Sequence, residues 1–180
     1  MMLPTLLAIP PAPPGLKFAA CTEVHLERAF AIESASYPED EAATKEKLLL
    51  RMQEAPQFFR AALGANGQPC GFICGTLATS SVLTEESMSL HEPEGSTLCI
   101  HSVVVEADLR RQGIATWMLA EYLHHVQELE PPVSRILLIC KEPLVNLYAG
   151  VGFQNLGPSD IVHGQDPWIL MGMGDVASPQ

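Results

Sequence analysis

Positive charge is what this 180-residue sequence has least of: ten Lys and Arg stand against 21 Asp and Glu, a formal net charge of −11. A chain of that balance repels phosphodiester backbones, which excludes nucleic acid as a partner and makes protonated amines its natural visitors. Cysteine is scarce and odd in number. Cys21, Cys70, Cys74, Cys99 and Cys140 form no CxxC pair and no Cys/His cluster at zinc spacing. That excludes a disulfide framework and a structural metal, and it points to a reducing, cytoplasmic setting. No uninterrupted apolar run reaches the roughly 18 residues a membrane span requires, so no membrane partner is expected. The opening MMLPTLLAIPPAPPG lacks the basic n-region of a secretory leader, and its prolines break the helix an h-region needs. Residues 1–15 are read as a flexible Pro-rich tail, 16–175 as one domain and 176–180 as a C-terminal tail. A chain of this length buries roughly 70 % of its unfolded surface in a single core.

What is present centres on Cys99 to Ala115, CIHSVVVEADLRRQGIA. Ile100, Val103, Val104 and Val105 are the β-branched types that fit a buried strand. A helix start follows at Arg110-Arg111-Gln112-Gly113-Ile114-Ala115. There a glycine and a small residue let backbone N–H groups approach an anion at the positive end of a helix dipole. The pattern predicts a phosphate seat on the amides of Arg111 to Thr116, with Arg110 and Arg111 adding charge.

Before this stretch, Leu16 to Ala20 reads as a strand and the residues after Thr22 as a helix. Ala42 to Glu54 reads as a second helix capped by Asp40, with Leu48, Leu49 and Met52 on its apolar face. Phe58 to Leu63 and Gly71 to Ala78 read as strands joined by a tight Asn66-Gly67 turn. The acidic stretch Thr79 to Gly95 reads as a long loop, solvated or acting as a lid over an amine site. After the strand Thr97 to Val105 comes a helix over Gln112 to Glu128. A strand over Arg135 to Cys140, a short helix over Pro143 to Gly150, and strands over Gly152 to Leu156 and Trp168 to Met173 complete the chain. His124 and His125, adjacent on a helix, do not face each other and read as surface or packing residues.

HSVVV, LRRQG, EYLHHV, LVNLY and VGF, lying between Ser96 and Gly174, resemble the GNAT acyl-CoA-dependent N-acetyltransferases, and within them the arylalkylamine (serotonin) N-acetyltransferase group. The resemblance implies an α/β (α+β) fold with a mixed central sheet flanked by helices. In it the neighbouring parallel strands Thr97–Val105 and Arg135–Cys140 splay to admit the pantetheine arm of acetyl-CoA, the expected co-substrate. It implies backbone contacts to that arm from Val103, Val104 and Val105, with Tyr148, Ala149 and Gly150 also bordering it. Tyr148 matches the general acid of the group. His101 matches one of two alternating histidines that relay the amine's proton, and Cys99 stands where the other would be. The Cys-Pro-Leu loop of vertebrate members has no counterpart here, and no metal is implied.

The chemistry such a reaction needs agrees with these residue types. An alkylammonium of pKa near 10.4 must lose its proton before it can attack, a cost of about 4–5 kcal/mol at pH 7. A histidine near neutrality is suited to accept that proton, and a tyrosine can protonate the departing thiolate. The expected substrate is a small primary amine, with aromatic amines first. Phe58, Phe59, Leu83, Met88 and Leu90 are candidate apolar walls for a ring. Glu39, Asp40, Glu41, Glu85 and Glu86 would instead favour a polyamine. A peptide or protein amine, and an acyl-CoA-binding module without turnover, are the rival classes. The sequence leaves oligomeric state open.

Overall fold

The structure is a computed structural model describing residues 3–176; the readings for residues 1–2 and 177–180 lie outside the described residues. The β-branched and apolar runs form β1 (Lys17–Ala20), β2 (Phe59–Leu63), β3 (Pro69–Ala78), β4 (Thr97–Val105), β5 (Arg135–Cys140), β6 (Gln154–Pro158) and β7 (Ile169–Gly174). They build one sheet in the order β1-β2-β3-β4-β5-β7-β6. Every pairing is antiparallel except β4 with β5. The expected mixed sheet flanked by helices is therefore what forms.

Helices cover both faces. On one, α3 (Ile114–Gln127) and α4 (Val145–Ala149) pack Trp117, Tyr122 and Tyr148 against Leu98, Ile100 and Ile136. On the other, α1 (Leu26–Ser36) and α2 (Lys45–Glu54) pack Ala29, Ile32, Leu48 and Met52 against Phe59, Phe72, Cys74 and Val104. α2 begins three residues later than its pattern predicts, and Thr44 rather than Asp40 caps it by accepting the Lys47 N–H at 3.2 Å. The reason is Ala43, whose N–H is drawn out of the helix toward Glu33 Oε1 at 3.0 Å. The opening segment, expected as a flexible tail, lies against the body. Leu3 is buried in the α3-side core, and the Leu7 carbonyl accepts from His124 Nε2 at 2.8 Å.

Two irregularities in β4 organise the centre of the molecule. Its parallel pairing with β5 lasts only from Thr97↔Arg135 to Cys99↔Leu137. β4 stays bonded to β3 as far as Val105, and β5 to β7 as far as Cys140. Beyond Cys99 the edge of β4 turned toward β5 has no strand partner. The second irregularity is a bulge: Cys74 pairs with Ser102 and Gly75 with Ile100, leaving His101 as the extra residue. A bulge breaks the two-residue alternation. Leu98 and Ile100 before it, and Val103 and Val105 after it, all join the α3-side core, while His101 and Ser102 turn together to the opposite face. Gly75 permits this close approach, because a Cβ there would stand 2.7 Å from the Cys99 carbonyl oxygen and 2.9 Å from Leu98 Cδ1. Gly75→Val is expected to destabilise the protein by about 1–3 kcal/mol through overpacking, measured by urea unfolding.

Candidate active site

A cavity of about 300 Å³ opens on the α1/α2 face where the bulge presents His101. Glu33 reaches it from α1, Glu41 to Ala43 from the following loop, and Lys47 and Arg51 from α2. Glu85, Met88 and Ser89 of the acidic loop cover it, and Ile161 to His163 of the β6–β7 connection close another side. The long acidic loop is thus part of the cavity wall.

His101 Nε2 lies 2.7 Å from Thr76 Oγ1, whose hydroxyl also reaches the Ser87 carbonyl at 3.4 Å. Its Nδ1 is buried and has no hydrogen-bond partner among the described residues. Burial, then the nearby cations Arg51 and Lys47, hold its pKa well below the usual histidine value. The ring is neutral at pH 7. If the Thr76 hydrogen goes to Ser87, Nε2–H donates to Thr76 and the free lone pair is on Nδ1.

Glu33 is the group that sequence reasoning missed. It is 1 % exposed. Oε1 accepts from the Ala43 N–H at 3.0 Å and from Ser102 Oγ at 3.1 Å, while Oε2 is buried without a partner. Burial pushes its pKa up, against the opposing pull of those hydrogen bonds and of Arg51. The signal was available: Ala29, Ile32 and Glu33 share one helical face at spacings of three and four, so an acid sits on an apolar stripe. Glu33, Glu41 and His101, three of the four buried side-chain atoms lacking partners among the described residues, belong to this one cavity.

Cys99 does not line the cavity. It is buried with Ala78, Leu83 and Leu137, and burial pushes its thiol up to about 11. It stays a protonated thiol at neutral pH, so His101 has no second titrating partner on β4. Tyr148 stands on the opposite side of the sheet, in T-shaped contact with Phe153 at 5.9 Å between centroids. Burial and the neighbouring Cys140 push its phenol above the ordinary value. Tyr37, just past α1, connects the two sides. It takes a hydrogen bond from the Val103 backbone, and burial followed by the neighbouring Tyr148 and Glu33 raises its pKa. No motif marked it in the sequence.

The predicted co-substrate residues gather on the α3/α4 side. Arg111 and Gly113 take positive φ, 63° and 80°, ahead of an α3 start that has no side-chain cap. None of the backbone N–H groups from Arg111 to Thr116 has an acceptor among the described residues. Successive free amides at a helix start form a nest for an anion, and with the edge of β4 at Val103 to Val105, which no strand covers, they fit a pyrophosphate joined to an amide-bearing arm. Arg110 does not point there. Its Nε donates to the Val105 carbonyl at 3.0 Å and its Nη2 to Ser36 Oγ at 3.2 Å, so it ties the loop to β4 and α1 and leaves Arg111 as the exposed cation. Thr116 and Gly150 border a smaller cleft between α3, α4 and Leu6 to Ala8. The expected ring walls are corrected by burial: Phe58, Phe59 and Leu83 are core residues, and Leu90 is exposed. Of those five only Met88 faces the cavity.

The description Acetyltransferase (GNAT) family matches residues 26–153. The chain belongs to the GNAT acetyltransferase family. Serotonin N-acetyltransferase of Mesocricetus auratus is 39 % identical over 98 residues, covering 54 % of this chain and 47 % of that protein. The Homo sapiens serotonin N-acetyltransferase is 36 % identical over 93 residues, 52 % of this chain and 44 % of that protein. The chain thus matches about half the length of these curated relatives. Among solved structures, the loading GNATL domain of CurA from Lyngbya majuscula superposes with a TM-score of 0.78 at 13 % identity, covering 88 % of this chain and 97 % of that one. A GNAT-like decarboxylase, GphF, in complex with isobutyryl-CoA gives 0.76 at 16 % identity, covering 88 % and 98 %. At such identities these two likenesses concern the fold alone. No helix among the described residues is long and apolar enough to cross a membrane.

Glu33→Gln tests the buried carboxylate. A carboxyl whose pKa rises on folding stabilises the protein below its unfolded pKa, and that stabilisation is lost as pH rises through the folded value. The ionised group is therefore a burden at pH 7. The isosteric amide is expected to raise Tm at pH 7 by about 2–4 °C, with the gain vanishing at low pH; scanning calorimetry from pH 4 to 8 reads both. Gly113→Val tests the nest. No protein atom lies within 4 Å of a Cβ at this position, so the fold holds, but φ of 80° strains a β-branched residue. Acetyl-CoA affinity, by titration calorimetry, is expected to fall roughly tenfold or more.

Proposed function

We propose that this protein is an acetyl-CoA-dependent N-acetyltransferase of a small primary amine, with arylalkylamines as the favoured class. The observation that carries the reading is the bulge at His101. It sets a neutral imidazole, with one nitrogen buried and unpartnered among the described residues, in the wall of a cavity beside buried Glu33, at the point where β4 leaves β5. Acetyl-CoA supplies an acetyl group activated as a thioester, held by the amides of Arg111 to Thr116 and the edge of Val103 to Val105, with Ala149 and Gly150 alongside.

The substrate ammonium enters from the α1/α2 face and meets Glu33 Oε2 and the free nitrogen of His101. Burial raises the carboxyl pKa and lowers the imidazole pKa. The two shifts run toward each other, which reduces the difference in proton affinity between an ordinary carboxylate and an ordinary imidazole. Lys47 and Arg51 beside the cavity also disfavour the protonated amine. The N–C bond forms as the C–S bond breaks. Tyr148 acts on the departing sulfur, and its raised pKa keeps the hydroxyl protonated, so a hydrogen bond to the developing thiolate is its first contribution.

Two findings favour an aromatic amine over a polyamine. The curated relatives cited above are serotonin N-acetyltransferases. Of the acids proposed to hold a distant ammonium, only Glu41 and Glu85 line the cavity, and Glu41 is already bound to Lys141 at 2.7 Å. Met88, Ile161 and Val162 supply apolar contact in the cavity. Tyr148→Phe is expected to lower kcat by about 10²-fold or more with a smaller change in KM, because the hydroxyl meets charge present only as the thiolate leaves. CoA release with tryptamine, phenethylamine and spermidine checks it. Wild-type kcat in the variant would reduce Tyr148 to packing, and acetyl-CoA binding without CoA release from any amine would identify a binding module instead.

A further inference from the structure

Acetyl transfer to a simple amine leaves one charge in the cavity without a task. Arg51 sits in the last turn of α2, half-buried, with its guanidinium in the cavity wall. Among the described residues its guanidinium makes only two long hydrogen bonds, Nη1 to Cys74 Sγ at 3.7 Å and Nη2 to the Met88 carbonyl at 3.4 Å. Among the described residues no carboxylate lies within 4.0 Å of it. Arg28, Lys45, Arg135 and Lys141 all have acidic partners. Lys47, one turn earlier on the same helical face, also lines the cavity and also lacks an ion pair. In a chain with twice as many acids as bases, an unpaired guanidinium in a recess bears a desolvation cost that a partner would offset. A bare ammonium substrate only adds repulsion.

The position of Arg51 relative to Glu33 says what that partner is. Cys74 and Ser102 are paired across β3 and β4. Cys74 Sγ takes Arg51 Nη1, while Ser102 Oγ donates to Glu33 Oε1. The cationic and anionic groups therefore flank a single residue pair of the sheet. Among the described residues Glu33 Oε2 has no partner and the guanidinium has only long ones, and both residues line the same cavity. A ligand that satisfies both carries an amine and an anion on neighbouring atoms. We propose that the cavity takes a zwitterionic amine, an α-amino carboxylate, whose carboxylate is received by Arg51 with Lys47 behind it and whose amine faces Glu33 and His101. This rests on the acetyltransferase reading and narrows its substrate class. Arg51 is then the residue that sets specificity.

Three pairs of compounds that differ only by a carboxylate test it: tryptophan and tryptamine, phenylalanine and phenethylamine, lysine and cadaverine. The readout is the ratio of kcat/KM for the acid over the amine in each pair. A charge-assisted pair contributes about tenfold to a hundredfold, so the wild-type ratio is expected to exceed about ten in at least one pair. It is expected to fall by a similar factor in Arg51→Met and to recover in part in Arg51→Lys. Acetyl-CoA titration reports whether each variant is folded. Should Arg51→Met fail that check, Arg51→Gln and Lys47→Ala carry the comparison, the latter lowering the ratio by a smaller factor. Ratios below one in all three wild-type pairs would overturn the proposal. So would ratios that Arg51→Met leaves unmoved, since an arginine that merely balances Glu33 affects acid and amine alike. Titration of the same six compounds into the CoA-bound protein repeats the question without turnover. If no compound is acetylated but the acids bind more tightly through Arg51, the site stands and the reaction is wrong.

Discussion

β4 and β5 hold each other at three residue pairs and then part, and the rest of the site depends on that parting. Each strand keeps a partner along its other edge, β4 to β3 except at the bulge and β5 to β7. The divergence therefore costs the fold only the hydrogen bonds the two would have made with each other. Unpaired backbone groups inside a protein need a partner, and an amide-bearing arm from a co-substrate is one that can thread such a gap. The bulge at His101 adds the second requirement. Without it the alternation of β4 would keep His101 on the face of Cys99 but turn Ser102 away; with it both residues face the α1/α2 cavity. One strand thereby presents valines to one side and a proton acceptor to the other.

The site is also where the fold leaves its electrostatic accounts open. Buried polar atoms are nearly always satisfied in native structures. Here, among the described residues, Glu33 Oε2, Glu41 Oε2 and one nitrogen of His101 are not, and all three residues line the same cavity. Each shift has burial as its first cause, at His101 and Glu33 alike, and the two shifts run in opposite directions because one group is charged when protonated and the other when not. A cavity that destabilises both a cationic imidazole and an anionic carboxylate is one from which a proton is easily passed on.

The strands were legible because runs such as SVVV and RILLIC announce themselves by residue type, and the turn into α3 because Gly113 and its neighbours form a local motif. Gly113 also has a positive φ of 80°, a second reason for glycine beside the close approach of an anion. The amine side was harder to see. Glu33, Tyr37 and Arg51 come from helices and a loop remote in sequence, and only the packing of α1 and α2 on the sheet brings them to β4. Phe58 and Phe59 failed as pocket walls for a related reason: at the start of β2 they face opposite cores, Phe58 beneath α3 and Phe59 stacked on Phe72 at 5.2 Å. Residue type alone does not distinguish a core ring from a pocket ring. The bulge left no mark in β4 itself, only the glycine opposite it at position 75.

A crystal structure with a bisubstrate analogue, coenzyme A joined through its sulfur to an amine, tests the central claim most directly. The account predicts the sulfur between β4 and β5 beyond Cys99 and Leu137. It places the pyrophosphate on the amides of Arg111 to Thr116 and the amine end in the cavity of His101 and Glu33. An analogue lying wholly on the α3/α4 side, with that cavity empty and β4 and β5 unbridged, would contradict it.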